Sequence, residues 1–169
     1  MVVAMRPLAL LALPLLLAAC QSENRTAASS ETTVDGQTVA EVQVTDPWCR
    51  PTPNGMTMTA CYVTLTSSTG DRLSSIISPR AAQSTVHAVS TEGGVMSMSE
   101  MPDGLALPTG QTVSLAPGGD HIMLTGVTVP LAEGDLVPLA LTFESGAQIA
   151  LEAPVRASPP GEDANPARH

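Results

Sequence analysis

Two histidines and two methionines are the residues of this sequence best suited to bind a metal. His121 and Met123 are two positions apart, and His87 precedes Met98 with ten residues between them. Imidazole and thioether donors together favour Cu(I), because soft sulfur binds soft cations whereas Mg²⁺ and Ca²⁺ prefer oxygen. Zinc sites normally use thiolate, imidazole or carboxylate ligands instead. The pattern therefore predicts a tetrahedral Cu(I) site formed by His87, Met98, His121 and Met123.

The spacing allows these four side chains to converge if they lie on β-strands. Alternate residues of a strand share one face about 7 Å apart, which places His121 beside Met123. A Gly93-Gly94 turn between His87 and Met98 predicts neighbouring antiparallel strands. Methionine is also a common filler of β cores, so each residue taken alone has a purely structural interpretation.

Four further methionines have weaker interpretations. Met96 is expected to face away from the ligand side of Met98. Met101 is a candidate reserve donor, and Met56 and Met58 are loop or core residues.

The elements that must position the donors are short alternating segments separated by Gly, Pro, Asn and Asp turns. No long helical period interrupts them, so the sequence predicts an all-β sandwich or barrel formed by one domain over residues 38–156. The expected strands begin near Val39 and then run over residues 58–66, 73–77, 85–91, 95–101, 105–107, 112–115, 122–127, 136–143 and 147–155.

The N-terminus is typical of an exported lipoprotein. Residues 1–19 contain a short apolar run of signal-peptide length, and Leu17-Ala18-Ala19-Cys20 resembles a bacterial lipobox in which Cys20 is lipidated. An ordinary cleaved signal is the alternative. Residues 20–37 are predicted to form a flexible tether and residues 157–169 a disordered acidic tail, in which His169 is a bystander. We expect attachment on the periplasmic side of the envelope, with the choice of membrane left open.

The charge balance excludes one class of partner. The formal net charge is −9, and all seven basic residues are arginines. Nucleic-acid binding needs basic patches that neutralise phosphates, so we expect no nucleic-acid partner.

The remaining cysteines, Cys49 and Cys61, flank a proline-rich loop and are predicted to form a disulfide if their strands meet. An exported location is oxidising, which favours this pairing. A thiolate metal site and a redox pair are the alternatives, although neither has Cys-X-X-Cys spacing.

The same residues carry a resemblance to a known family. A histidine, ten residues, a methionine, twenty-two residues and then His-X-Met correspond to His87, Met98 and His121-Ile122-Met123. With the Leu115-Ala-Pro-Gly-Gly119 lead-in, this arrangement resembles the periplasmic copper chaperones called PCu(A)C. The resemblance implies a cupredoxin-like Greek-key β fold and Cu(I) held by those four residues. It also implies copper delivery to a cytochrome c oxidase subunit or a Sco-type assembly protein.

Two other functions are compatible with parts of the sequence. A blue-copper electron carrier would need a cysteine ligand flanked by histidines, and neither Cys49 nor Cys61 has one nearby. A copper-independent envelope lipoprotein with an adhesive or structural β-sandwich is the main alternative. We expect no enzyme, because no Ser-His-Asp arrangement, phosphate loop or carboxylate pair stands out.

Overall fold

The structure is a computed structural model that describes residues 41–160 and the backbone of 28–30, 33–34 and 37–38. The signal segment 1–19, the lipidation candidate Cys20 and His169 lie outside the described residues. Within the part of the chain that is described, no helix is long and apolar enough to cross a membrane.

Thirteen strands make up the described secondary structure, and most coincide with the alternating segments of the sequence. Their bounds are β1 Ala28–Ser30, β2 Thr33–Val34, β3 Gln37–Thr38, β4 Val42–Cys49, β5 Met58–Ser67, β6 Asp71–Ile77, β7 Gln83–Glu92, β8 Val95–Glu100, β9 Leu105–Leu107, β10 Thr112–Leu115, β11 His121–Thr125, β12 Leu136–Phe143 and β13 Gln148–Pro154.

Two antiparallel sheets pack face to face. The larger has the order β1-β4-β5-β11-β7-β8, with β10 also pairing with β5, and the smaller has the order β13-β12-β6-β9. The short strands β2 and β3 pair with each other. The predicted all-β single domain is confirmed.

The core between the sheets is almost entirely aliphatic. β5 contributes Cys61, Val63 and Leu65, and β12 contributes alternate residues that include Leu141 and Phe143. Each buried Val or Leu contributes about 1.5–3 kcal/mol, so an aliphatic core is sufficient at this domain size. Alternation along each strand then leaves the outer face of the large sheet available for other chemistry.

A β-bulge in β4 decides which residues near the proline-rich loop face the core. Asp46 has a positive φ of 51°, and the pairing with β5 shifts between Thr45 and Trp48. The extra residue reverses the alternation, as bulges do. Cys49 therefore lies opposite Cys61 on the inner face, and Trp48 lies opposite Tyr62 on the outer face.

One segment predicted as a tether contains strand backbone. The 20–37 stretch includes β1, which pairs with β4 through the Ala28–Val44 and Ser30–Val42 partners. Its composition lacks apolar periodicity, but main-chain hydrogen bonding to an open sheet edge does not require that periodicity. The predicted tether, residues 20–37, therefore includes a short segment that pairs with the domain.

Candidate metal centre

His87 and His121 are directly opposite each other in the β7–β11 pair, on the outer face of the large sheet. Their ring centres are 5.9 Å apart. Imidazole nitrogens bind first-row metals at about 2.0–2.1 Å, so two rings that share one ion have centres roughly 5–6.5 Å apart. The spacing of the histidine pair therefore suits a single shared ion.

The orientation of His121 leaves one ring nitrogen available. Its Nδ1 lies 3.0 Å from the carbonyl oxygen of Gly119. A carbonyl oxygen can only accept, so Nδ1 donates the proton and Nε2 keeps its lone pair. This arrangement, in which the second nitrogen is held by a backbone carbonyl, is common among metal-binding histidines.

A tight turn directs the Gly119 carbonyl. The Gly119 N–H donates to the Ala116 carbonyl at 3.0 Å, and Gly118 has a positive φ of 81°. Pro117 followed by glycine at positive φ is the pattern of a type II turn. The Pro-Gly-Gly lead-in therefore places the acceptor that orients His121.

His87 is half-buried and contacts a hydroxyl group on its own strand. Its Nε2 lies 3.1 Å from Oγ1 of Thr85, and either group can donate. Thr85 lies opposite Met123, so Nε2 of His87 points toward the row that contains Met123.

The two candidate methionine ligands share the face of the histidines but lie in different directions from them. Met123 follows His121 by two residues, and Met98 lies opposite Val89 on the edge strand β8. Each is diagonal to His87, a relation in which Cα atoms are about 7–8 Å apart and long side chains can still meet. The structure thus brings the histidines together with Met123 beside them, while Met98 lies one strand outward and is 59% exposed.

The interpretations of two other methionines change. Met96 was expected to face away from Met98, but it lies opposite Thr91, two positions along the same regular strand. Alternate residues of a strand share a face, so that expectation was wrong. Met101 packs against the core, because it follows Glu100 on the opposite side of the strand, and it is not positioned as a reserve donor.

The other metal-binding chemistries have less support. Among residues 41–160, no group of three His, Cys, Asp or Glu side chains could hold a metal. Cys49 and Cys61 form a disulfide and are both fully buried on the inner face, as the sequence predicted. Neither sulfur is a thiolate that could ligate a metal on the histidine face, so a blue-copper site does not fit.

An aromatic pair behind His121 is the feature that sequence reasoning missed. The rings of Trp48 and Tyr62 are 4.6 Å apart, and Tyr62 is 6.4 Å from the His121 ring. Both aromatic residues are buried although they lie outside the core cluster. They shield one side of His121, which is only 7% exposed. The sequence did contain a signal for this position, because Tyr62 follows the inward-facing Cys61 on one strand and must therefore lie on the outer face.

Burial also perturbs the ionisation of Tyr62, which gives a testable pH dependence. Desolvation raises the pKa of the phenol above its ordinary value of 10.0, and the Arg50 charge partly opposes this shift. The pKa of Tyr62 is higher in the folded than in the unfolded protein, so the contribution of the protonated phenol to folding stability is complete below the pKa of the unfolded protein. That contribution is lost as the pH rises through the pKa of the folded protein. We expect the unfolding free energy to fall above about pH 10.

Ultraviolet titration can measure this shift directly, because Tyr62 is the only tyrosine in the chain. The native protein should ionise at higher pH than the urea-unfolded protein, and Tyr62→Phe should abolish the signal. Equal midpoints for native and unfolded protein would show that the phenol is hydrated.

Comparison with solved structures identifies the class of fold. The chain is similar to the apo PCuAC domain of PmoF2, with 23% identity, a TM-score of 0.59, and coverage of 77% of this chain and 94% of that domain. The copper-bound PCuAC domain of PmoF2 gives 24% identity and a TM-score of 0.58 over 69% of this chain and 93% of that one. The solution structure of Cu(I)-DR1885 from Deinococcus radiodurans shares 28% identity, with a TM-score of 0.54 and coverage of 66% and 77%. The fold is therefore that of PCuAC domains, a cupredoxin-like β sandwich.

Comparison of sequences identifies the family. A family model described as "Putative lipoprotein LpqE-like" matches residues 42–155. A Leifsonia xyli subsp. xyli protein, also named as a lipoprotein, is 33% identical over 121 residues, covering 72% of this chain and 73% of that protein. The chain belongs to the LpqE-like family, which is related to the PCuAC domains.

Proposed function

We propose that this protein is an exported, lipid-anchored copper chaperone that holds one Cu(I) ion through His87, His121, Met123 and Met98. The observation that carries the proposal is the histidine pair, with ring centres 5.9 Å apart and one nitrogen of His121 free. The two methionines on the same face supply soft sulfur, which favours Cu(I) over zinc. The copper-bound relatives of the same fold support this choice of metal.

Charges of both signs lie near the candidate site. Glu100 is opposite His87 on the same face of the sheet, whereas the Arg50 charge acts on Tyr62 behind His121. Four neutral ligands leave the positive charge of Cu(I) uncompensated, and the carboxylate of Glu100 would offset part of it from a distance.

The candidate ligands differ in solvent exposure, and this difference suggests the order in which an acceptor would displace them. Met98 is 59% exposed on the edge strand, His87 and Met123 are half-buried, and His121 is 7% exposed. Incoming thiolates of an acceptor would therefore displace Met98 first and His121 last. Transfer is an exchange of ligands in which copper remains Cu(I), so no electron donor is needed.

The proposed cellular role rests on the predicted anchor and on the resemblance to the periplasmic copper chaperones. Lipidation at Cys20 would place the domain at the periplasmic side of the envelope, beside membrane-bound acceptors. The acceptor we propose is a cytochrome c oxidase subunit or a Sco-type assembly protein with a thiol-containing copper site.

An anaerobic Cu(I) titration against a chromogenic chelator tests the proposal. We expect one ion per chain, and X-ray absorption should show two nitrogen and two sulfur ligands. Absence of Cu(I) binding would support the alternative, a copper-independent envelope domain. Binding with no sulfur in the coordination shell would remove both methionines from the site.

Met98→Leu tests the exposed ligand. We expect its Cu(I) affinity to fall by about tenfold or more, as for other losses at metal sites, and transfer to a dithiol acceptor to become faster. Leucine keeps the size and apolar character of methionine, so the fold should be unaffected.

Met96→Leu is the matched control, because Met96 is on the same face and strand and is 63% exposed. It should bind Cu(I) like the wild type. Equal loss in both variants would mean that the hairpin face, rather than one sulfur, contributes to binding.

A further inference from the structure

The hydrogen-bond ladder between β7 and β11 ends at the histidine pair. If the pairing of His121 with His87 continued, Gly119 would lie opposite Val89 and its carbonyl would accept the Val89 N–H. The Gly119 carbonyl instead accepts a hydrogen bond from Nδ1 of His121 at 3.0 Å. The main-chain pairing therefore stops at the histidines, and the Val89 N–H needs another acceptor.

Asp120 supplies that acceptor. Its Oδ1 accepts the Val89 N–H at 2.9 Å in a partly buried position. A buried N–H without an acceptor costs about 1–3 kcal/mol, and a carboxylate is a stronger acceptor than a carbonyl. The Asp120 side chain thus replaces a main-chain acceptor for Val89, two residues along β7 from His87.

We propose that Asp120 is a positioning residue for the copper site. By accepting the Val89 amide, it fixes the end of β11 against β7 in the arrangement in which the Gly119 carbonyl faces Nδ1 of His121 and Nε2 is left without a proton. This inference rests on the proposed copper function. It assigns Asp120 the role of a hydrogen-bond acceptor for the backbone and not that of a ligand.

A second effect of Asp120 must be separated from this one, because a carboxylate one residue from His121 also attracts a cation. Asparagine keeps an oxygen at the Oδ1 position and removes the charge. Alanine removes both. The pair Asp120→Asn and Asp120→Ala therefore distinguishes the hydrogen bond from the charge.

The experiment uses three readouts on the intact mature domain. In the metal-free protein, hydrogen exchange reports the Val89 amide, and nitrogen NMR of the imidazole reports the His121 tautomer. Competition titration then gives the Cu(I) affinity. For Asp120→Ala we expect about tenfold faster Val89 exchange, mixed His121 tautomers and about tenfold weaker Cu(I) binding.

Asp120→Asn should keep the wild-type tautomer and remain within about threefold of wild type in exchange and affinity. Two results would overturn the proposal: unchanged Val89 exchange and His121 tautomer in Asp120→Ala, or equal losses in both variants, which would assign the effect to charge. If the wild type binds no Cu(I), the proposed function fails. The two metal-free measurements would still decide whether Asp120 orients His121.

Discussion

His121→Asn should lower the Cu(I) affinity by about 100-fold or more, the largest effect of any single substitution on the metal face. His121 is the least exposed of the four candidate ligands at 7%, so solvent cannot easily provide a replacement donor. The asparagine amide can still donate to the Gly119 carbonyl in place of Nδ1, whereas the Nε2 donor is lost. Chelator competition under anaerobic conditions measures the change.

The choice of asparagine separates ligand loss from unfolding. The urea midpoint of His121→Asn should stay close to that of the wild type, since the hydrogen bond at Nδ1 is retained. His87→Asn should also weaken binding, but less, because His87 is half-buried and closer to solvent. If His121→Asn bound Cu(I) as tightly as the wild type, the assignment of the histidine pair would be wrong.

Loss of the Cys49–Cys61 bond should be the largest stability effect. The bond closes a loop with a sequence separation of 12, for which loop entropy gives about 3 kcal/mol. Both cysteines are fully buried between the sheets, so Cys49→Ala with Cys61→Ala also removes core volume. We expect the double variant to unfold at a markedly lower urea concentration than the wild type. The fluorescence of Trp48, the only tryptophan in the sequence, monitors this unfolding.

Reduced wild-type protein is the control that isolates the bond, because it keeps the sulfur atoms and loses only the covalent link. Its midpoint should lie between those of the oxidised wild type and the double variant. The Cu(I) affinity of the double variant should stay within about threefold of wild type, since the cysteines lie on the face opposite the histidines. A reductant that left the wild-type midpoint unchanged would contradict the stabilising role of the bond.

Local patterns predicted much of the architecture and half of the candidate site. The strands 105–107, 112–115 and 136–143 have the expected bounds, because short turns define their ends. Gly93 and Gly94 both have positive φ, as expected for the turn of the β7–β8 hairpin. The common face of His121 and Met123 also follows from a spacing of two residues on a strand.

Other features depended on pairing between distant segments. The expected orientation of Met96 was wrong for a local reason instead, since Met96 and Met98 are alternate residues of β8 and share a face. The bulge at Asp46 was not predicted, because one extra residue leaves no periodic signal in so short a strand. That bulge nevertheless determines that Cys49 meets Cys61 and that Trp48 packs on Tyr62 behind His121.

The sequence by itself determined the donor set and the strand periodicity, since both are local properties of residue type and spacing. Only the tertiary structure decided that His87 lies opposite His121, that Met98 is on an exposed edge, and that Asp120 accepts the Val89 amide. These relations join strands up to several tens of residues apart in the chain. Their register is set by sheet order and core packing, which no local pattern contains.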